Sequence, residues 1–220
     1  LNDEKLRFYT NIAHELRTPL TLIIGPLADL MAAHNLPAEY AKKVSLIHRS
    51  ATRLTDLINR ILEFRKSETQ NRTLCVMCGD LSGLIREIGL KYKELNQNPK
   101  IDVEVFIEAD KTELFYDPEV ITILLDNLIS NALKYTREGK VEIRMRNLTA
   151  DERLYTEIEV SDTGRGIPKE ELDKIFDRYY RVKGDDQVAG SGIGLSLVRN
   201  MVQLHQATIQ VESQVGQGTV

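Results

Sequence analysis

His14-Glu15-Leu16-Arg17-Thr18-Pro19-Leu20 sets an imidazole, a carboxylate and a hydroxyl within about one turn of a helix. Ile12 and Leu16 fall on an apolar stripe, and His14 stands two residues from each, so at about 100° per residue its ring points away from the stripe. A neutral ring nitrogen placed there can meet an electrophile, although a single surface histidine is usually no more than that. A second run is Asp126-Asn127-Leu128-Ile129-Ser130-Asn131-Ala132-Leu133-Lys134-Tyr135. Asn127, Asn131 and Lys134 recur at i, i+4 and i+7, so two amide oxygens and an ammonium share one helix face. Neutral oxygens beside a cation suit a magnesium-bearing phosphate better than a bare ion, because magnesium keeps waters and shares the oxygens of a nucleotide. A merely solvated helix face would use the same residues.

Asp162-Thr163-Gly164-Arg165-Gly166-Ile167-Pro168 follows a strand pattern directly. It offers a fixed acceptor beside backbone that a planar ring can approach closely, and the bland alternative is a tight turn. Gly190-Ser191-Gly192-Ile193-Gly194-Leu195 opens a helix whose free N–H groups can cradle phosphate oxygens. Its spacing fits neither a P-loop nor a dinucleotide fingerprint. The preceding stretch, Arg178 to Ala189 with Gly184-Asp185-Asp186, reads as a mobile lid. Cys75 and Cys78 have C-x-x-C spacing without a second pair, and Leu74 to Cys78 reads as a short strand in which small thiols pack.

These groups need elements to hold them. The chain has 220 residues and a net charge of −4, an ordinary globular composition with no bias toward nucleic acid or membrane surfaces. No apolar run is long enough for a membrane span, and no signal sequence opens the chain. Tyr9, Ile12, Leu16, Leu20, Ile23, Leu27 and Leu30 recur at helical spacing. After the breaker His34-Asn35-Leu36-Pro37 the period resumes at Tyr40, Val44, Ile47, Ala51, Leu54, Ile58 and Ile61, which predicts a helical hairpin. Two such helices bury little by themselves, so the hairpin is expected to pair as a homodimeric four-helix bundle.

Past the polar linker Lys66 to Asn71 the pattern turns to mixed helix and strand. Strands are expected at 101–107, 141–145, 154–160 and 208–211, with the middle two joined as a hairpin through 147–153. Helices are expected from Ser82 to Asn96, from the Asp117-Pro118 cap to about Thr136, from Lys169 to Phe176 and from Ile193 to His205. The fold class is α+β, a mixed sheet covered by helices on one face. Leu1 begins without a cap and Val220 stops where a closing strand should begin, which reads as a piece cut from a longer protein.

In order and spacing these runs resemble the H, N, G1 and G2 boxes of sensor histidine kinases, with Ile175-Phe176-Asp177-Arg178-Tyr179-Tyr180-Arg181 as the F box and Gly216-Gln217-Gly218-Thr219 as the closing motif. The resemblance covers nearly the whole chain. It implies a dimerisation and histidine-phosphotransfer domain at 1–68 and an ATP-binding domain of the Bergerat (GHKL) type at 72–220, without its last strand. His14 would accept the γ-phosphoryl group of ATP, Glu15 would orient the ring, and Thr18 would place a water for dephosphorylating a partner. Asn131, assisted by Asn127, would bind Mg2+, while Lys134, Tyr135 and Arg181 would bind phosphates. Asp162 would take the adenine amino group, and Gly164, Gly166, Ile167, Gly190, Gly192, Gly194, Leu195 and Thr219 would line the nucleotide.

The resemblance also implies an aspartate on a response-regulator receiver as the next acceptor, and a cytoplasmic placement below a membrane-anchored sensor. Phe8-Tyr9-Thr10-Asn11 and Ile24-Gly25-Pro26-Leu27 look like those of hybrid kinases that carry their own receiver. Pro19 suits a helix that bends below the reactive histidine. Gln206-Ala207 departs from the glycine usual after the last helix. Two other readings compete: a gyrase- or chaperone-type ATPase, which would need a water-activating glutamate at Asn127, and a nucleotide-sensing scaffold without transfer.

Overall fold

Two compact units, Leu1–Arg72 and Thr73–Val220, divide the chain. A computed structural model describes residues 16, 19–32, 37–68, 73–150, 152–182 and 192–220. In the first unit residues 19–32 form α1 and Ala38–Glu68 form α2, which starts where the Tyr40 and Ala41 N–H groups donate to the Pro37 carbonyl. Leu20 of α1 is buried against Ala51 and Ile58 of α2, with Ile24 beside them. Much of the remaining stripe faces outward: Leu16, Ile23, Leu30, Tyr40, Ile47 and Leu54 are all exposed. One hairpin therefore uses only part of its apolar surface within itself, which is abnormal for a stripe meant for a single partner helix.

The second unit contains β1 (Met77–Asp80), α3 (Leu81–Leu95), β2 (Ile101–Glu108), β3 (Glu113–Tyr116), α4 (Pro118–Tyr135), β4 (Gly139–Ala150), β5 (Arg153–Asp162), α5 (Gly194–Leu204), β6 (Ser213–Gln214) and β7 (Gly218–Thr219). The larger sheet runs β2-β4-β5-β7-β6, with β2 parallel to β4 and the other pairs antiparallel. Alternation divides its faces. Val103, Val141, Ile143 and Met145 are buried beneath Ile85 and Ile88 of α3 and Leu125, Ile129 and Ala132 of α4. On the opposite face Arg146 pairs with Glu157 and Glu159 across the β4–β5 ladder, as a solvated sheet surface does. A smaller core joins Val120 of α4 to Leu197 and Met201 of α5.

The α+β class and the helices at α3, α4 and α5 follow the sequence reading, and several strand and turn details do not. The β4–β5 ladder continues to Ala150 and Arg153, so the connection is a two-residue turn rather than 147–153. Asn147 binds Thr156 across the ladder at 3.3 Å, and Glu152 takes the left-handed φ of 60° that such a tight hairpin turn favours. Lys169–Glu171 is one turn of 3-10 helix, not the start of a helix to Phe176; successive i to i+3 hydrogen bonds tighten 168–177 and bury Glu171 and Ile175. Residues 208–211 form no strand: the backbone pairing starts one residue later, where Glu212 and Val220 exchange two hydrogen bonds ahead of β6. Leu74 to Val76 precede β1 instead of belonging to it, and both cysteines are exposed, not packed. β3, which pairs with β1, went unread because four residues give too short an alternation.

Asp117 ties the second unit together. Its side chain is 3% exposed; Oδ1 accepts from the Glu119 and Val120 N–H groups at 3.0 and 3.1 Å, and Oδ2 accepts from the Cys75 N–H at 2.8 Å. Its own N–H donates to His205 Nε2 at 3.2 Å, just past the end of α5. A helix cap alone contributes about 1 kcal/mol. Asp117→Ala strands the Cys75 donor as well, so the expected loss is about 2–3 kcal/mol in urea unfolding of the chain.

Candidate functional site

α4 is apolar toward the sheet and toward α5, and the strip between those two contacts carries the polar residues. Asn127 is buried at 8% exposure, and its Nδ2 donates to the Ile123 carbonyl at 2.7 Å. That bond fixes the amide and leaves Oδ1 directed at the start of α5, 2.9 Å from the point where a β-carbon on Gly194 would stand. Asn131 follows one turn later and is half-buried. Lys134 donates from Nζ to the Tyr135 hydroxyl at 3.0 Å. The Arg165 guanidinium lies 4.6 Å from the centre of the same tyrosine ring.

The end of β5 closes on the C-terminus of α4. Asp162 Oδ1 accepts from the Gly164 N–H at 2.8 Å, and the carboxylate also accepts from the backbone of Thr219. Burial pushes the Asp162 carboxyl above its ordinary value, against the lowering effect of those two N–H groups. Gly164 must be glycine: a β-carbon there would stand 2.5 Å from the Tyr135 carbonyl oxygen and 2.7 Å from Asp162 Oδ1. Ile167 donates its N–H to Ser213 Oγ at 2.8 Å, and the same hydroxyl lies 2.8 Å from Thr219 Oγ1. Gly166 is buried against the backbone of Gln214.

The structure thus gathers Asp162, Gly164, Gly166, Ile167 and Thr219 at one end of the sheet, with the Tyr135 backbone against them. It sets Gly194 against Asn127, and Leu195 follows in the first turn of α5. The Gly192 carbonyl accepts from the Tyr179 N–H at 2.9 Å, which ties the F-box segment to the entrance of α5. Arg181 stands exposed just beyond that tie. His14, Glu15, Thr18 and Gly190 lie outside the described residues, as do residues 183–189 of the lid expected from Arg178 to Ala189.

Two residues entered the site unread. Arg165 had a signal, a cation between two glycines, and Ser213 had none, since only the fold brings residue 213 to the Asp162 turn. A cleft of about 440 Å³ runs along another side of α5, lined by Phe176, Asp177, Arg178, Ser196, Arg199, Asn200 and Gln203; it contains none of the α4 residues.

The donor set fits magnesium that arrives with phosphates. Asn127 and Asn131 offer neutral amide oxygens, and among the described residues no cluster of three His, Cys, Asp or Glu side chains could hold an ion unaided.

Residues 116–220 match the family of histidine kinase-, DNA gyrase B- and HSP90-like ATPases, and residues 4–70 match the His Kinase A (phospho-acceptor) domain. Over 225 residues the chain is 37% identical to histidine kinase P4 of Formosa agariphila, covering all of this chain and 16% of that protein. Its first curated relatives are all much longer: it spans 16%, 23% and 28% of three of them. Among solved structures, full-length ShkA in complex with AMPPNP has the same fold, with a TM-score of 0.78 over 97% of this chain and 44% of that one at 24% identity. Histidine kinase ThkA in complex with the response regulator protein TrrA gives a TM-score of 0.63 at 26% identity, over 99% of this chain and 61% of that one.

A carboxyl held above its ordinary value binds its proton more tightly in the folded chain than in the unfolded one. Below the unfolded value Asp162 therefore costs nothing, and stability falls as pH rises through the folded value. Asp162→Asn is expected to unfold no earlier than the parent in urea at pH 7, and its advantage should disappear in acid below the ordinary aspartate range.

Proposed function

The chain belongs to the sensor histidine kinases, and on that premise we propose that it transfers the γ-phosphoryl group of ATP to His14 and then to an aspartate of a response-regulator receiver domain. The observation that carries the reading is that Asp162 and the Lys134–Tyr135 pair meet where α4 and β5 end, at a turn where Gly164 leaves no room for a side chain, while Asn127, two turns back on α4, faces the start of α5. Asp162 accepts the exocyclic amine of adenine, and the surfaces of Gly164, Gly166, Ile167 and Thr219 admit the ring. Lys134, Tyr135 and Arg181 take the phosphates, together with backbone N–H groups at Gly190, Gly192, Gly194 and Leu195.

Bound with the phosphates by Asn131 and Asn127, Mg2+ supplies charge neutralisation of the transferring group. His14 attacks the γ-phosphorus through neutral Nε2; the new P–N bond forms as the bond to the ADP oxygen breaks. Glu15 accepts from the other ring nitrogen and holds the tautomer. Thr18 positions a water when the same surface removes phosphate from the receiver. That a related kinase has been solved with a response regulator supports this choice of partner.

In this reading residues 1–68 are the dimerisation and phosphotransfer domain and 72–220 the catalytic domain. The apolar residues that face outward from the hairpin, Leu16, Ile23, Leu30, Ile47 and Leu54, support a homodimer in which a second hairpin covers them. Such a core works on the cytoplasmic side, where ATP is available, below a sensor whose membrane anchor would belong to other segments. No helix among the described residues is long and apolar enough to cross a membrane. A water-activating ATPase is disfavoured, because Asn127 supplies an amide whose nitrogen is already bonded where that chemistry needs a carboxylate.

With γ-labelled ATP and Mg2+, the chain is expected to take up label that acid removes and base does not, and His14→Gln is expected to take up none. Label in the variant, or label that resists acid, defeats the assignment. In sedimentation the chain is expected at twice its 25.0 kDa monomer mass at micromolar concentration, and Ile47→Glu should shift it toward monomer.

A further inference from the structure

Tyr135 is approached by two cations. Lys134 Nζ lies 4.5 Å from the ring centre and bonds the hydroxyl, and the Arg165 guanidinium lies 4.6 Å from the same centre. Arg165 is also fixed at its backbone: its N–H donates to the Tyr135 carbonyl at 3.4 Å and its carbonyl accepts from the Gly216 N–H at 2.7 Å. The guanidinium is thus anchored at the turn that carries Asp162 and reaches back over the last ring of α4.

We infer that Arg165 is a positioning residue for the nucleotide site, holding the Tyr135 ring in place and, through the ring hydroxyl, the Lys134 ammonium. The inference rests on the ATP-binding reading of this site and adds a residue to it. A tyrosine at a helix end has two free side-chain torsions, and a long lysine has four. A planar cation over the ring face removes the first freedom and costs little in return, since guanidinium groups are weakly hydrated and stack well on aromatic rings. The bond from Lys134 Nζ to the fixed hydroxyl then restricts the second. Because Arg165 is held by the Gly216 N–H of the β6–β7 connection, the closing motif of the unit bears on the cation at α4.

Calorimetric titration of ATP with Mg2+ into the parent chain, Arg165→Ala, Arg165→Lys, Tyr135→Leu and the double variant Arg165→Ala/Tyr135→Leu tests this. An exposed cation–π contact corresponds to about a two- to fivefold change in affinity, so Arg165→Ala should weaken ATP by about that factor. Arg165→Lys, which retains a cation able to sit over the ring, should recover most of the loss. In the Tyr135→Leu background the arginine should no longer matter, since a residue acting through the ring has nothing to act on once the ring is gone. Equal losses in both backgrounds would mean that Arg165 touches the nucleotide itself or acts elsewhere, and unchanged affinity in Arg165→Ala would mean that it does nothing for binding; either overturns the inference. A parent chain that binds no ATP would instead defeat the nucleotide reading, and is told apart from those results by the parent titration alone.

Discussion

The carboxylate of Asp117 is the constraint on which the second unit depends. It is almost wholly buried, and three backbone N–H groups donate to it: two open α4, and one belongs to the segment that precedes β1. With the His205 imidazole on its own N–H, it joins the start of α4, the end of α5 and the segment at Cys75. Capping at this point fixes where the helix begins, and so it fixes the rotation of every residue that follows. Val120, one turn on, is fully buried between α4 and α5, which leaves the helix no freedom to turn about its axis.

Rotation matters because α4 is apolar over two of its sides. Ile121, Leu125, Ile129 and Ala132 meet the sheet, and Val120 and Leu124 meet α5. Asn127, Asn131 and Lys134 occupy what remains, so packing and chemistry are complementary uses of one helix. The buried amide of Asn127 shows the cost and its remedy: its nitrogen is bonded within the helix, and its oxygen lies against a glycine that opens α5. Glycine at 164 has the same logic, since a methyl group there would collide with the Tyr135 carbonyl oxygen and with Asp162 Oδ1. Both contacts are between elements far apart in sequence, which is why the site exists only in the folded unit.

Legibility in the sequence followed how local each feature is. The α4 residues, the Asp117 cap and the glycine positions were readable because helical spacing and capping chemistry act within a few residues. The long strands at β2, β4 and β5 were readable from alternation, although the turn between the last two was placed too wide because polar residues such as Asn147 and Thr149 continue the ladder. Ser213, which bonds the Ile167 N–H across the fold, and the short pair β1–β3 were not readable, since nothing near them in sequence announces their partners. The exposure of Cys75, ahead of β1, and of Cys78, on β1 of the two-stranded sheet, was likewise not readable from their spacing.

The central claim is that the polar face of α4 brings a metal ion and phosphates to one place. The most direct measurement is the affinity of ATP, with and without Mg2+, for the parent chain and for Asn131→Ala. The account predicts that Mg2+ tightens ATP in the parent, and that the variant loses this gain while its affinity in the absence of Mg2+ is little changed. A variant that keeps the full gain would contradict the account, because the metal would then be held without the face that α4 is positioned to present.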